Sequence, residues 1–299
     1  MATRSDYLKL HFIVFLWGFS AILGKLVSIP AIEMIFYRGI LAAAGIALVI
    51  AIKRGNFLVT RVQLIRLLLI GVIVAIHWIA FFGSARVSNV SVSLIGFATN
   101  SLWAALLEPW FNQNRIKKFE LLLGLTVLFG LYVIFSFDFH YGAGLALGIL
   151  AGFTSALFSV FNARMVRKVS SYTITFYEMI GIVLAIGSGM AIYHLIDPAF
   201  EFQLVPTWQD WIWIALLAGV CSVYAYTVAV ELMKKVSVFM IQLTLNLEPL
   251  YGIVMAVIIF GQSERMSTNF YIGSLIILSA VASYPFLKRR FDKPSHSLG

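Results

Sequence analysis

Long apolar stretches follow one another along this chain of 299 residues and are separated by short polar connections. Apolar runs of about 17–25 residues can cross a bilayer as helices. The pattern predicts ten such helices, near residues 10–28, 31–52, 66–84, 90–111, 119–136, 142–163, 172–195, 210–233, 237–260 and 269–287. The longest connection, at 194–210, leaves no room for a second domain. We therefore predict one all-α integral membrane domain.

The composition supports this class, because 61% of the residues are hydrophobic and only 12% are charged. A soluble domain is usually about a quarter charged. The N-terminal apolar stretch continues to Val27 without a small-residue cleavage site, so we interpret it as an uncleaved first helix. The single cysteine, Cys221, excludes a disulfide framework and a cysteine-based metal cluster. We expect no metal and no cofactor.

Basic residues concentrate on one side of the predicted membrane. Eighteen of the twenty-two Lys and Arg residues fall in connections or termini that alternate to the same side. Cytoplasmic loops carry such an excess. The pattern predicts a multi-pass protein of the cell inner (plasma) membrane with both termini in the cytoplasm. The net charge of +9 is therefore a topology signal and does not indicate nucleic-acid binding.

Three short motifs occur twice and in the same order. They are GFSA (18–21) with GFTSA (152–156), IFYRG (35–39) with TFYEM (175–179), and VSVSLIGFATN (90–100) with VSVFMIQLTLN (236–246). Five helices in each half would insert the halves in opposite orientations, a plan common in secondary transporters. We predict two inverted five-helix repeats, residues 1–137 and 138–299, with the solute site between them near mid-membrane.

Aligning the repeated VSV motifs pairs residues of the first half with residues of the second half. This alignment places Asn100 opposite Asn246 and Trp103 opposite Pro249. Because proline removes a helical hydrogen bond and can kink a helix, Pro249 is a predicted hinge. The first half, with Trp103 at this position, is expected to bend less.

Charged residues in the middle of a span usually face a protein interior or a water-filled cavity. A rise of about 1.5 Å per residue places Arg38 about 10 Å, Glu248 about 18 Å and Glu178 about 26 Å below the outer surface. Arg38–Glu248 is therefore the more plausible ion pair, although Arg38 and Glu178 are related by the repeat. For Glu248 we consider two interpretations, proton or ion coupling and a purely structural pair. Glu178 lies nearer the cytoplasm and suits an interfacial role.

Other candidate residues are polar or aromatic side chains that helical spacing places on common faces. Small and hydroxyl residues also serve helix packing in lipid, which is the alternative interpretation of each face. His77 could act in a proton relay, since its unperturbed pKa is about 6.5, or could simply pack. The candidate solute-binding residues are Trp17, Ser20, Arg38, His77, Trp78, Asn100, Ser155, Ser159, Asn162, Tyr224 and Asn246.

Several local sequences resemble the drug/metabolite transporter superfamily, specifically its EamA-type members. They are FLWGFSAILGK (15–25), FYR (36–38), FFGSARVSNVSVSL (81–94) and VELMKKVSVFMIQLTLNLEPLYGIVMAVIIFGQSE (230–264). The resemblance implies a proton- or gradient-linked carrier, often an exporter of amino acids or other small metabolites. The first half departs from the family pattern, because Trp103 stands where a proline is usual.

The leading hypothesis is a secondary active transporter that exports amino acids or related amphipathic solutes by alternating access. Its partners would be a small-molecule solute, the lipid bilayer and protons. The alternatives are a membrane-embedded enzyme and a passive channel. Against an enzyme, the chain has no H-E-x-x-H, G-x-S-x-G or Walker motif. A channel would differ from a carrier by unsaturable flux.

Overall fold

The computed structural model describes residues 2–135, 141–248, 250, 251, 255 and 267–291. These residues form helices and short connections, and no strand occurs among them, which confirms the all-α class. In the first half the helices are α1 (Arg4–Gly18), α2 (Ser20–Leu26), α3 (Ala31–Ile52), α4 (Arg61–Val87), α5 (Val90–Phe97), α6 (Asn100–Phe111) and α7 (Lys118–Phe135). In the second half they are α8 (Gly142–Met165), α9 (Ser171–Ile196), α10 (Trp208–Leu216), a π segment (Leu217–Tyr226), α11 (Thr227–Leu232), α12 (Val238–Leu245) and α13 (Thr268–Phe291).

Seven stretches of the described residues are long and apolar enough to cross a membrane. They are Arg4–Leu26, Ala31–Ile52, Arg61–Val87, Gly142–Met165, Ser171–Ile196, Trp208–Leu232 and Thr268–Phe291. The predicted fourth span is divided into α5 and α6. The predicted ninth begins as α12 and continues into residues outside the described part. The count of ten spans and the orientation of the termini therefore stay predictions.

The fourth span is broken without a proline. Helix α5 ends at Phe97, and a turn at residues 98–99 precedes α6. A Cβ atom added to Gly152 of α8 would lie 2.8 Å from the Phe97 carbonyl oxygen and 2.6 Å from the Thr99 hydroxyl. The first half therefore bends here although Trp103 stands in place of the proline, and the expectation that it bends less than the second half stays a prediction. Close backbone packing against a glycine of α8 accompanies the bend there, and a proline-based rule overlooks this cause.

The ninth span turns at a similar place, since α12 ends at Leu245 and residues 246–247 form a turn. The predicted hinge residue, Pro249, lies outside the described residues. Each broken span therefore begins with a helix of eight residues that ends inside the bundle.

Helix α4 packs against α8 and α9, and α3 also packs against α9. Helices α7 and α13 pack mainly against each other. Glycines bring the α4–α9 crossing into backbone contact. A Cβ atom on Gly181 of α9 would lie 2.5 Å from the Leu68 carbonyl oxygen and 3.1 Å from the Gly71 Cα of α4.

We predict that Gly181→Ala destabilises the protein, because the added methyl group would force α9 away from α4. Overpacking of this kind costs about 1–3 kcal/mol. Thermal unfolding of the purified protein in detergent should show a lowered midpoint. Gly189→Ala is the control on the same helix, where an added Cβ meets no atom within 4 Å. Equal midpoints for Gly181→Ala and the unchanged protein would contradict the packing argument.

Candidate functional site

A cavity lies between helices of both halves. The centres of water molecules can occupy a volume of about 70 Å³ within it. One water needs roughly 10–15 Å³ on this measure, so the cavity holds several. Eight predicted site residues line it: Trp17, Ser20, Arg38, His77, Trp78, Ser155, Ser159 and Glu248. Sequence reasoning did not single out the phenylalanines that share the wall, Phe81, Phe82, Phe97 and Phe158. They resemble ordinary apolar residues of a membrane helix.

Arg38 is buried, with 3% of its surface exposed. Its Nε donates a hydrogen bond of 2.9 Å to the Ser222 hydroxyl on the π segment. The guanidinium carbon lies 3.8 Å from the centroid of the Trp78 ring, a cation–π arrangement. Arg38 is thus held by neutral groups. The predicted ion pair with Glu248 is absent among the described residues, where no carboxylate lies within 4.0 Å of Arg38.

Glu248 also lines the cavity and is 3% exposed. Its carboxyl group forms neither a hydrogen bond nor an ion pair with the part of the chain that the structure describes. A buried carboxylate without such partners is costly unless water, a proton or a cationic ligand reaches it. Its place on the cavity wall provides that access.

His77 packs between helices and also lines the cavity, and its part in a proton relay stays a prediction. Its Nδ1 lies 2.8 Å from the Ala151 carbonyl oxygen of α8. A carbonyl only accepts, so Nδ1 carries the hydrogen, and Nε2 of the neutral ring is left as an acceptor. The ring packs against Phe97 and Phe158, with centroids 5.6 and 5.4 Å away. His77 therefore ties α4 to α8 while its ring faces the cavity.

The polar stripe on α8 meets a glutamine that was not among the predicted site residues. Gln242 of α12 donates from Nε2 to the Ser159 hydroxyl at 2.8 Å and to the Ser155 carbonyl at 3.1 Å. Its Oε1 accepts from the Ser155 hydroxyl at 3.3 Å. A signal existed in the sequence, since Gln242 and Asn246 share a face of the ninth span.

Four predicted binding residues do not line the cavity. Asn246 donates to the Ser101 hydroxyl at 2.9 Å and joins the two broken spans. Asn100 is buried at the start of α6, where its amide atoms have no hydrogen-bond partner in the described structure. Asn162 donates to Glu178 at 3.4 Å and to the Tyr226 oxygen at 3.0 Å.

Tyr224 is the fourth, and it lies outward with 45% of its surface exposed. Its prediction assumed an α-helical repeat throughout the eighth span. The π segment has i→i+5 hydrogen bonds, which rotate the following residues around the axis. Tyr226 consequently lines the cavity in its place.

A larger space of about 950 Å³ adjoins the cavity at the basic end, and Met233 lines both. Six cations border this vestibule: Arg66, Arg164, Arg167, Lys168, Lys234 and Lys235. One carboxylate, Glu108, also borders it, and its two oxygens accept from the backbone N–H groups of Val238 and Phe239 at 3.1 and 2.8 Å. Those groups begin α12, where a negative charge is favoured.

Side chains tie the helices together at the opposite end. Arg86 of α4 donates to the carbonyl oxygens of Ile29 and Val27 at 2.7 and 3.3 Å. Asp210 of α10 accepts from the backbone N–H and the hydroxyl of Ser28 at 2.6 and 2.7 Å. The α2–α3 connection is therefore fixed to both α4 and α10. The cavity thus adjoins an open vestibule at the basic end, and we interpret the hydrogen-bonded layer at the opposite end as its closed end.

A multi-pass membrane protein with an internal charged cavity is the class that this fold and site define. The model of the EamA-like transporter family matches residues 7–136 and again residues 142–284. The chain therefore belongs to the EamA-like transporter family, which confirms the resemblance. The two matches also support two repeats.

A solved crystal structure, described only as that of a protein, has a TM-score of 0.75 with this chain. The alignment covers 98% of this chain and 100% of that one at 16% identity, which shows a shared fold. A search of curated proteins found no match.

We predict that Arg86→Met opens the closed end. Hydrogen bonds to a charged group contribute about 1.5–3 kcal/mol, and about 1.4 kcal/mol is tenfold in a population. The native Cys221 lines the cavity and reports on access to it. An impermeant maleimide added on the side opposite the basic end should label Cys221 about tenfold faster in Arg86→Met than in the unchanged protein. Arg61→Met, at the other end of α4, is the control. Unchanged labelling in Arg86→Met would show that these bonds do not close the cavity.

Proposed function

We propose that this protein is a secondary active transporter that exports small metabolites, such as amino acids or related amphipathic solutes, across the inner membrane by alternating access. One observation carries the proposal. The cavity contains two buried charged groups without ion-pair partners among the described residues, Arg38 and Glu248, and it adjoins an open space at the basic end. A site open at one end and closed at the other suits a carrier better than a continuous pore.

The cavity chemistry supports an amphipathic solute. The Arg38 guanidinium can form charge-assisted hydrogen bonds with a carboxylate, and arginine forms them in pairs. The Glu248 carboxylate can accept from a solute ammonium group. Aromatic rings such as Trp17 and Phe158 offer an apolar surface to the rest of the molecule. The basic vestibule would raise the local concentration of solutes that carry negative charge.

We further propose that Glu248 couples transport to protons. It is accessible from the cavity, so a proton and a cationic solute group would compete for the same carboxylate. The topology proposed for this mechanism has two inverted five-helix repeats, residues 1–137 and 138–299, with both termini in the cytoplasm. Pro249 is the proposed hinge of the ninth span. Of the predicted contacts, Asn100, Asn246 and Tyr224 are proposed to act away from the solute.

Reconstitution into proteoliposomes tests the proposal. Uptake and efflux of amino acids, nucleosides and vitamins would be screened with and without a pH gradient. A carrier gives saturable flux and counterflow of labelled solute against unlabelled solute. Unsaturable flux or electrical conductance would favour a channel, and chemical conversion of the solute would favour an enzyme. Either result would overturn the proposed function.

Glu248→Gln should abolish the solute accumulation driven by a pH gradient, because glutamine cannot bind and release a proton. The fold should persist, since the carboxyl group has no partner to lose among the described residues. Accumulation is measured in proteoliposomes, and folding by monodisperse elution and the unfolding midpoint. Glu231→Gln is the matched control, because Glu231 is 51% exposed at its side chain and pairs with Lys234. Normal pH-driven accumulation in Glu248→Gln would remove Glu248 from the coupling step.

A further inference from the structure

A second buried carboxyl group lies outside the cavity wall. Glu178 of α9 is fully buried, at 0% exposure, although its depth suggested an interfacial group. Its Oε2 accepts from the Tyr226 hydroxyl at 2.7 Å and from the Asn162 amide at 3.4 Å. The same amide donates to the Tyr226 oxygen at 3.0 Å. Three side chains from α8, α9 and the π segment thus form one buried cluster.

Two oxygens of this cluster have no hydrogen-bond donor in the described structure, Glu178 Oε1 and Asn162 Oδ1. Buried polar atoms are almost always paired, so each unpaired one requires an explanation. Both atoms are acceptors, and the cluster therefore lacks a donor. A proton on the carboxyl group supplies one.

Among the described residues, no cation forms an ion pair with Glu178. Tyr226 is the titratable group that contacts it. The other charged or titratable side chains on the described elements packed against α9 and around the cluster are Glu33, Tyr37, Arg38, Lys53, Arg61, Arg66, His77, Arg86, Arg164, Cys221, Tyr224 and Glu231. None of the basic groups in this set lies within 4.0 Å of the Glu178 carboxyl. An ionised carboxylate buried without a cation costs several kcal/mol, a cost that the neutral carboxyl group avoids.

The surrounding backbone closes the side of the cluster that faces α4. A Cβ atom on Gly71 of α4 would collide with the carbonyl oxygen of Glu178, so the two helices touch there. The side toward the cavity differs, because Tyr226 both contacts Glu178 and lines the cavity. Tyr226 therefore connects the buried carboxyl group with the solute space.

We propose that Glu178 is a proton-binding residue and that Tyr226 transmits its protonation state to the cavity. This inference rests on the proposed function, in which the cavity holds the solute. Glu178 does not line the cavity, so a solute does not displace its proton directly. Its role differs in this way from that of Glu248.

A proton from the cavity reaches Glu178 through the Tyr226 phenol. A hydronium ion in the cavity gives a proton to the Tyr226 oxygen and becomes water, and the original phenolic proton passes to Glu178 Oε2. One O–H bond forms and one breaks at Tyr226, which stays neutral, and the net change is one proton moved from the cavity to Glu178. A tyrosine hydroxyl has one donor and two acceptor positions.

The direction in which the Tyr226 O–H points then depends on whether Glu178 is ionised or protonated. When Glu178 is ionised, the phenolic O–H donates to the carboxylate across the 2.7 Å contact. When Glu178 is protonated, its own O–H donates to Tyr226, and Asn162 already donates to the same oxygen. The phenolic O–H is then free to turn toward the cavity and donate to a solute. Proton binding at Glu178 would therefore change the hydrogen bonds available to the solute.

Infrared spectroscopy of the purified protein tests the proton site without requiring transport. The C=O stretch of a protonated carboxyl group would be followed during pH titration, in the unchanged protein and in Glu178→Gln, Glu248→Gln and Tyr226→Phe. We expect a band that Glu178→Gln removes and Glu248→Gln retains. Tyr226→Phe should shift its frequency and titration midpoint, because one hydrogen bond is lost. A spectrum unchanged by Glu178→Gln would overturn the proposal. The titration would be run in choline chloride and repeated in sodium chloride. Loss of the band in sodium would also overturn the proposal, because the carboxyl group would then bind a metal cation in place of a proton.

Transport provides the second readout. Glu178→Gln should reduce pH-driven accumulation to the level of passive equilibration, whereas the surface control Glu231→Gln should match the unchanged protein. Accumulation in Glu178→Gln equal to that of the unchanged protein would contradict coupling through this residue. If the unchanged protein shows no saturable counterflow, the proposed function fails, and the infrared titration still decides the proton site by itself.

Discussion

Every backbone polar group inside a bilayer must find its partner within the protein, because hydrocarbon supplies none. This constraint governs the places where helices bend or end inside the membrane. The Trp17 indole donates to the Cys221 carbonyl in the π segment at 3.0 Å, and the Ser93 hydroxyl donates to the Phe81 carbonyl at 2.7 Å. His77 and Arg86 also bond to carbonyl oxygens of other segments. Two of these side chains, Trp17 and His77, line the cavity and are therefore also ties between helices.

The same scarcity of polar partners determines which groups contact the buried charged residues. Arg38 is positioned by a hydroxyl group and two aromatic faces, and Glu178 by a phenol and an amide. Neutral partners fix the position of a charge without cancelling it. An ion pair would hold the helices together but would leave little charge for a ligand or a proton. That Arg38 has no counter-ion in the part of the chain that the structure describes is therefore central to its proposed role.

Much of the site follows from sequence patterns, because a polar residue in an apolar helix has few tolerable positions. Trp17, Arg38 and Ser155 were predicted on this basis and line the cavity. The local backbone geometry was harder to predict from the sequence. The π segment changes the helical register and exchanges Tyr224 for Tyr226, and the bend after Phe97 involves a glycine on another helix. Depth along a helix also does not distinguish a buried group from an interfacial one, which is why Glu178 was misplaced.

The π segment contacts one buried charged residue from each half of the chain, Arg38 and Glu178. In the motifs IFYRG (35–39) and TFYEM (175–179), Arg38 and Glu178 occupy equivalent positions. The same π segment contacts both, with Ser222 bonded to Arg38 and Tyr226 bonded to Glu178. π-Helical insertions are frequently found at functional sites. Because the two contact residues are four apart on one short segment, a shift or rotation of that segment changes both contacts together. Proton binding at Glu178 and solute binding at Arg38 would thus act on one structural element, which is the physical requirement for coupling two sites.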